Sequence, residues 1–278
     1  GRAADGTVAP QRVLGIVNAS LRKEELLAGL TTRTFGRKLY VFSEIDSTNA
    51  CARTLAEIGN PEGTVVIADY QTAGRGRLGR AWNAEPRSNL LFSVILRPDA
   101  SFAVWHMSYL LSEATAQAVE RVLRLRVATK WPNDLLMDGK KFCGILLETM
   151  GPTDQQACVG GVGVNVNQQV FPADLQGTAT SLRLAAGSSV DRVRLFQAAM
   201  ATLEDAYDQA RRDGGSTLMR SWMDRCTTFG RPVQVRGGGP NIDGTAIGLS
   251  DDGGLIVSHG SRTTTVYAGD VTISEPSS

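Results

Sequence analysis

The feature that most constrains this chain is a change of texture near Phe229. Ahead of it, apolar strand runs (Thr64–Tyr70, TVVIADY; Asn89–Leu96, NLLFSVIL; Ala157–Asn165, ACVGGVGVN) alternate with two long stretches of helical spacing, Phe102–Leu125 and Val190–Arg212. The second of these stretches closes on Gly214-Gly215. Beyond Phe229, Arg231–Arg236, Gly244–Leu249, Leu255–Ser258 and Thr263–Tyr267 are short strand runs separated by Gly, Asp and Asn turns, the pattern of a small β-barrel. The two textures predict a larger domain of mixed helix and strand followed by a barrel, with the boundary at about Thr227–Arg231.

Shorter elements fill in the first part. Leu21–Leu30 has the spacing of a short amphipathic helix, and Leu39–Ile45 reads as a strand. Asp46-Ser47-Thr48 offers an N-cap to a helix over Asn49–Ile58. Val127–Met137 and Phe142–Met150 read as two strands joined by a turn at Asp138-Gly139-Lys140, and Leu218–Cys226 as a further helical stretch. The domains expected are an N-terminal segment over 1–34, disordered over Gly1–Pro10, a main domain over 35–228 and the barrel over 229–278.

Charge composition removes several function classes. Lys and Arg number 29 against 28 Asp and Glu, so no bulk field draws the chain to nucleic acid or an anionic membrane, and any anion site must be a local cluster. The four cysteines form no C-x-x-C pair and read as reduced thiols of a cytoplasmic protein. Two histidines outside any recognisable signature argue against a zinc site or a Ser-His-Asp triad. There is neither a membrane-spanning run nor the apolar core of a signal peptide at the start.

The cluster that could bind anions follows the TVVIADY strand directly. In Gly74-Arg75-Gly76-Arg77-Leu78-Gly79-Arg80, before Ala81-Trp82, glycine exposes backbone N–H groups while arginine supplies a planar, permanent charge. Such a loop repels itself when empty and orders around an anion, so Gln71–Ser88 is expected to lack regular structure without a ligand. In Lys130-Trp131-Pro132-Asn133-Asp134, Pro132 bends a strand out of its ladder and presents Asn133 and Asp134 at the bend. Lys141 stands at the mouth of the next strand and Gly144 in its body. Gly160-Gly161-Val162-Gly163-Val164-Asn165 has the glycines of a dinucleotide fingerprint without the helix that must follow it.

In this order, E-x-D-S-T-N, Q-T-A-G-R-G-R-x-G-R-x-W, K-W-P-N-D, K-x-x-G-I-L-x-E and G-x-G-x-N resemble the biotin protein ligase family from about Leu39 to the end of the chain. The resemblance implies an α+β fold: a mixed central sheet flanked by helices (the class II synthetase-like catalytic domain) and a small C-terminal SH3-like barrel. It implies synthesis of biotinyl-5′-AMP from biotin and ATP with Mg²⁺, then transfer of biotin to a lysine of a biotin carboxyl carrier protein, the acceptor domain of acetyl-CoA carboxylase or a related carboxylase. Ser47, Thr48 and Asn49 match residues that hold the biotin ureido ring and its surroundings. Gln71, Arg75, Gly76 and Arg77 match the loop that closes over biotin and the adenylate, with Gly144 and Gly161 beside biotin. Arg80 joins the phosphate cations, Trp82 lies beside the adenine, and Asn133, Asp134 and Asn165 match polar contacts around the nucleotide and metal. Lys141 matches the lysine near the carboxylate and α-phosphate. Arg77, Lys141 and Asp134 are the expected catalytic residues, and no protein-built metal cluster is expected.

Leu78 stands where many members carry another basic residue. Some members also carry an N-terminal winged helix-turn-helix repressor; the residues ahead of the motifs here hold one helix candidate and no recognition helix. A lipoate ligase or octanoyltransferase shares the adenylate logic but usually a different glycine–arginine motif. A nucleic-acid binder would need the basic charge and stacking platform that this chain lacks. A monomer and a homodimer are both compatible with these residues.

Overall fold

The computed structural model describes residues 20–98, 103–151, 157–237, 239 and 241–273. The expected disorder of Gly1–Pro10 and the start of the helix expected at Phe102 lie outside them. Helices α1 (Lys23–Ala28), α2 (Thr48–Glu57), α3 (His106–Leu123), α4 (Leu182–Ala186), α5 (Arg192–Asp213) and α6 (Ser216–Arg225) accompany twelve strands. Strands β1 (Leu39–Phe42), β2 (Val65–Ala68), β3 (Leu90–Leu96), β4 (Ala128–Lys130), β5 (Asp134–Met137), β6 (Lys140–Met150) and β7 (Ala157–Val164) form one sheet in the order β1-β2-β3-β7-β6-β5-β4. Only β1 and β2 pair in parallel, so the sheet is mixed, as expected. Strands β8 (Pro232–Arg236), β9 (Ile242–Leu249), β10 (Leu255–His259), β11 (Arg262–Val266) and β12 (Asp270–Ile273) form a second, antiparallel sheet in the order β11-β10-β9-β8-β12.

Period-two alternation divides the faces of the large sheet. Phe92, Val94, Val162, Val164 and Ile145 turn to one side and join the main core with α3 and α5. Val66, Ile95 and Val159 turn to the other, where Ala52 and Ala56 of α2 cover them. That helix covers only part of its face. Along the uncovered part, one row crosses the strands through Ala68, Leu91, Gly163, Gly144, Asp134 and Lys130. A row with two glycines at its centre and charges at its edge is a shallow trough with a polar end.

Three expectations are corrected. The strand expected over Val127–Met137 is two strands, β4 and β5, paired antiparallel through a turn at Trp131–Asn133. Pro132 has no N–H for a ladder, so the chain reverses there rather than bending. The barrel gains β12, which pairs with β8 through Asp270–Ile273; a four-residue strand is too short to show alternation in sequence. Helix α4 was missed for the same reason, with five residues behind an N-cap at Ser181.

A buried ion pair fastens the frame under the glycine–arginine loop. Arg192, the first residue of α5, meets Asp69 at 2.8 Å, with side chains 5% and 3% exposed. Asp69 also accepts from the backbone N–H of Leu21 at 3.2 Å. Removing one partner leaves the other desolvated, so Asp69→Ala should lower unfolding free energy by about 3 kcal/mol or more in urea titrations. A loss of less than about 1 kcal/mol would contradict the role given to this pair.

Candidate active site

The trough is walled first by the start of α2. Ser47 caps the helix, accepting from the N–H of Ala50 at 3.4 Å, which brings Thr48 and Asn49 into its first turn, both buried. Gln71, at the start of the loop, accepts from the Thr48 N–H at 2.7 Å and lies 2.9 Å from the Thr48 hydroxyl. Asn49 lies over Gly161 so closely that a Cβ there would stand 2.2 Å from Asn49 Oδ1. Glycine is required here by approach, not by backbone angle.

The loop is more structured than expected. Gly76 N–H donates to Arg80 O at 2.7 Å, Trp82 N–H to Gly74 O at 2.9 Å, and Arg77–Gly79 makes one 3₁₀ turn. This folding lays Trp82 across the trough: a Cβ on Gly163 would fall 2.6 Å from its ring and one on Gly144 3.0 Å. The indole Nε1 is buried with no hydrogen-bond partner among the described residues.

The polar end is built by strand irregularity. Between β5 and β6 the register slips, with Leu135 opposite Cys143 but Leu136 opposite Lys141, so Phe142 is an extra residue. Phe142 and Cys143 both enter the core, fully buried, and Lys141 is thereby turned to the trough. Its Nζ meets Asp134 Oδ1 at 2.6 Å and stands 5.6 Å from the centre of the Trp82 ring. Arg77 reaches Asn133 Oδ1 at 3.2 Å, while Asn133 Nδ2 donates to Ile145 O at 2.7 Å. Burial pulls the pKa of Arg77 below the usual guanidinium range, and nearby Asp134 opposes that shift. Burial likewise lowers the pKa of Lys130, with Asp134 opposing and Lys141 adding to the shift. Asn165 follows β7; its amide donates to Thr180 O at 3.2 Å, and its buried Oδ1 has no partner among the described residues.

The structure therefore brings Thr48, Asn49, Gln71, Arg77, Trp82, Asn133, Asp134, Lys141, Gly144, Gly161 and Asn165 around one trough, whereas Gly76 lies in the loop against Arg80 O. Two arginines stand apart from it. Arg75 is exposed, and Arg80 is ion-paired with Asp270 of β12 rather than turned to the polar end. Asn49 also differs from the expectation, because both ends of its amide are bonded within the protein, to Ser93 and Glu148. Sequence reasoning gave no role to Ser93, Glu148 or Asp270. Ser93 had a signal, as the one polar side chain of an apolar strand, and Glu148 closes the K-x-x-G-I-L-x-E motif, whereas Asp270 had none. No group of three or more His, Cys, Asp or Glu that could hold a metal occurs among the described residues. No helix among them is long and apolar enough to cross a membrane.

Comparison with known proteins agrees with this geometry. Residues 41–165 match the biotin/lipoate A/B protein ligase family, and residues 228–273 match the biotin protein ligase C-terminal domain. The chain is 34% identical over 255 residues to the bifunctional ligase/repressor of Bacillus subtilis, covering 90% of this chain and 78% of that one. It is 36% identical over 242 residues to the biotin–[acetyl-CoA-carboxylase] ligase of Mycobacterium tuberculosis, covering 84% and 88%. The biotin protein ligase of Aquifex aeolicus, solved with biotin and ATP, superposes with a TM-score of 0.75 at 27% identity, over 86% of this chain and all of that one. The chain belongs to the biotin protein ligase family.

The packing of Trp82 can be tested directly. Gly163→Ala places a methyl inside the contact distance of the ring, so the indole should be displaced toward water. Tryptophan emission should shift to longer wavelength, and the shift should vanish when the same substitution is made in a Trp82→Phe background.

Proposed function

We propose that the trough joins biotin to ATP as biotinyl-5′-AMP and pyrophosphate, then passes biotin to the ε-amine of a lysine on a carboxyl carrier domain, such as that of acetyl-CoA carboxylase. The observation that carries this reading is the arrangement of Lys141 and Asp134, 2.6 Å apart at the edge of a glycine-floored trough beneath an arginine loop.

In the first step a biotin carboxylate oxygen attacks the α-phosphorus, a P–O bond forms, and the bond to the β-phosphate oxygen breaks. Two unit charges at contact repel by about 1 kcal/mol in water and about 4 kcal/mol at a protein site's effective dielectric, and ATP carries several. Arg77 and Lys141 oppose that repulsion at the polar end, and Arg75 and Arg80 are cations that loop closure can bring to the phosphates. Trp82 beside the adenine and the apolar floor exclude water that would hydrolyse the mixed anhydride. Magnesium arriving on the ATP phosphates suits the donors here, since Asp134 offers a carboxylate and Asn165 a buried carboxamide oxygen without a partner. When bound it supplies charge neutralisation for the pyrophosphate leaving group. Ser47, Thr48, Asn49, Gln71, Gly76, Gly144 and Gly161 shape the biotin side, while Asn133, Asp134 and Asn165 line the nucleotide side.

In the second step the acceptor amine attacks the acyl carbon, the bond to the AMP oxygen breaks, and AMP leaves. A lysine amine has a reference pKa near ~10.4, so a base must take its proton. Asp134 suits that task, although in the empty site it is held by Lys141. A phosphate that draws Lys141 away releases Asp134 for the amine, which orders the two steps.

Incubation with biotin, ATP and Mg²⁺ should yield biotinyl-AMP and pyrophosphate by mass spectrometry, and their absence would sink the reading. Lys141→Met should cut adenylate formation by about a hundredfold or more. Asp134→Asn should abolish transfer from preformed biotinyl-AMP, and full transfer by that variant would remove Asp134 as the base. Gln71–Ser88 should resist protease better once biotin or the adenylate is bound, whereas equal cleavage with and without ligand would count against loop closure.

A further inference from the structure

The polar end of the trough holds a cation that no protein group has taken. Lys130 ends β4, and the register sets it opposite Asp134, which stands opposite Gly144 on its other side. Residues directly opposite share a face, so Lys130 belongs to the trough. Its neighbours agree: Trp131 is buried in the main core, and Thr129 Oγ1, also buried, donates to Trp222 O at 3.2 Å. Both neighbours are fastened, because the Thr227 N–H donates to Thr129 O at 2.9 Å and the Trp131 N–H to Thr228 Oγ1 at 3.1 Å. Lys130 itself is half-buried and makes no hydrogen bond or ion pair among the described residues. The carboxylate opposite it, Asp134, is engaged by Lys141 at 2.6 Å. A half-buried ammonium without a partner is costly to hold, and an anion would remove that cost.

The row across the strands puts the cations in order. Trp82 lies over Gly163 and Gly144, and Lys141 and Asp134 follow. Lys130 comes last, on the edge strand β4, one strand spacing of about 4.8 Å beyond Asp134. A nucleotide with its adenine at Trp82 and its α-phosphate at Lys141 therefore carries its β- and γ-phosphates onward, toward Lys130. Those are the phosphates that depart. When the biotin carboxylate attacks, the bond from the α-phosphorus to the bridging oxygen breaks, and that oxygen leaves on the β-phosphate with the bonding pair. The charge it gains falls at the end where Lys130 stands.

We propose that Lys130 is the cation for the pyrophosphate half of ATP: it binds the β- and γ-phosphates and stabilises them as the leaving group. Lys141 serves the carboxylate and the α-phosphate instead. The proposal rests on the reading that the trough makes biotinyl-5′-AMP, and it divides the site's cations into two sets. One set is engaged only while the outer phosphates are present, since biotinyl-AMP carries neither of them. A lysine suits that task, because a compact charge on a flexible stem can follow a group that moves away.

The test follows exchange of labelled pyrophosphate into ATP by the full chain, with biotin and saturating Mg²⁺, beside direct binding of biotinyl-AMP. Lys130→Met keeps the length of the side chain and removes its charge. It should raise KM for ATP and for pyrophosphate by about tenfold or more, the factor carried by a hydrogen bond to a charged group. The KM for biotin and the Kd for biotinyl-AMP should change by less than about threefold. Lys130→Arg should restore most of both raised values. Lys141→Met, in contrast, should weaken biotinyl-AMP as well. Where Lys130→Met fails to fold, Lys130→Gln takes its place, and calorimetry should show the advantage of ATP over AMP in binding reduced by about the same factor. Unchanged KM values for ATP and pyrophosphate overturn the proposal, and so does a loss of biotinyl-AMP affinity as large as the loss for pyrophosphate. Failure of the underlying reading looks different: the unaltered chain would then exchange no pyrophosphate and form no biotinyl-AMP. If the unaltered chain does both and the Lys130 variants match it, only the role of Lys130 fails.

Discussion

The extra residue at Phe142 is the constraint on which the polar end depends. In an unbroken strand, Lys141 and Gly144 would face opposite sides, since three positions separate them. The register slip sends Phe142 and Cys143 together into the core and turns Lys141 into the trough beside Asp134. The core stabilises this irregularity, because returning to strict alternation would expose one of two fully buried side chains and bury an ammonium. A β-bulge thus converts apolar packing on one face into the placement of a charge on the other.

Cations outnumber carboxylates at that end. Arg77, Lys130 and Lys141 surround the single carboxylate of Asp134, so the cluster carries surplus positive charge. Burial makes that surplus costly, as the lowered pKa values of Arg77 and Lys130 record. In the reaction proposed above, a phosphate and a carboxylate at this end would offset that cost. The trough itself is formed by missing side chains: Gly144 and Gly163 leave a floor on which a ring can lie, and Trp82 lies there now.

How much of this was legible in sequence follows from the range of the interactions. The Ser47 cap, the α2 helix and the buried strands β2, β3 and β7 are local and were readable from spacing. Thr48, Gln71, Arg77, Asp134 and Lys141 were singled out because their motifs are specific as a set. The bulge was hidden, because K-F-C-G reads as an ordinary apolar strand and the register is decided by core packing. The turn at Trp131–Asn133 was half legible: Pro132 announced a break, but the pairing of β4 with β5 needs a partner that periodicity does not name. Trp131 was read with the site motif, yet it is 2% exposed and its indole N–H donates to Gly253 O of the barrel at 3.4 Å. Arg80 was assigned by its neighbours in the loop, while its ion-pair partner, Asp270, lies far along the chain.

That last contact bears on why the barrel adjoins the site at all. The barrel is fastened elsewhere: Gly253 O accepts from Tyr109 Oη at 2.6 Å and from the Trp131 indole, and the Trp131 N–H donates to Thr228 Oγ1 at 3.1 Å. These bonds are buried and directional, whereas Arg80 is 65% exposed, and an exposed ion pair contributes about 0–1 kcal/mol. The Arg80–Asp270 pair is too weak to hold two domains together, and the loop can exchange it at little cost. Leu78 adds a second touch, since its methyl would lie 3.4 Å from a Cβ on Gly237. The barrel therefore acts on the loop through weak contacts, made from a mount that strong contacts keep fixed. In the reaction proposed above, a phosphate that takes Arg80 has only this weak contact with Asp270 to displace.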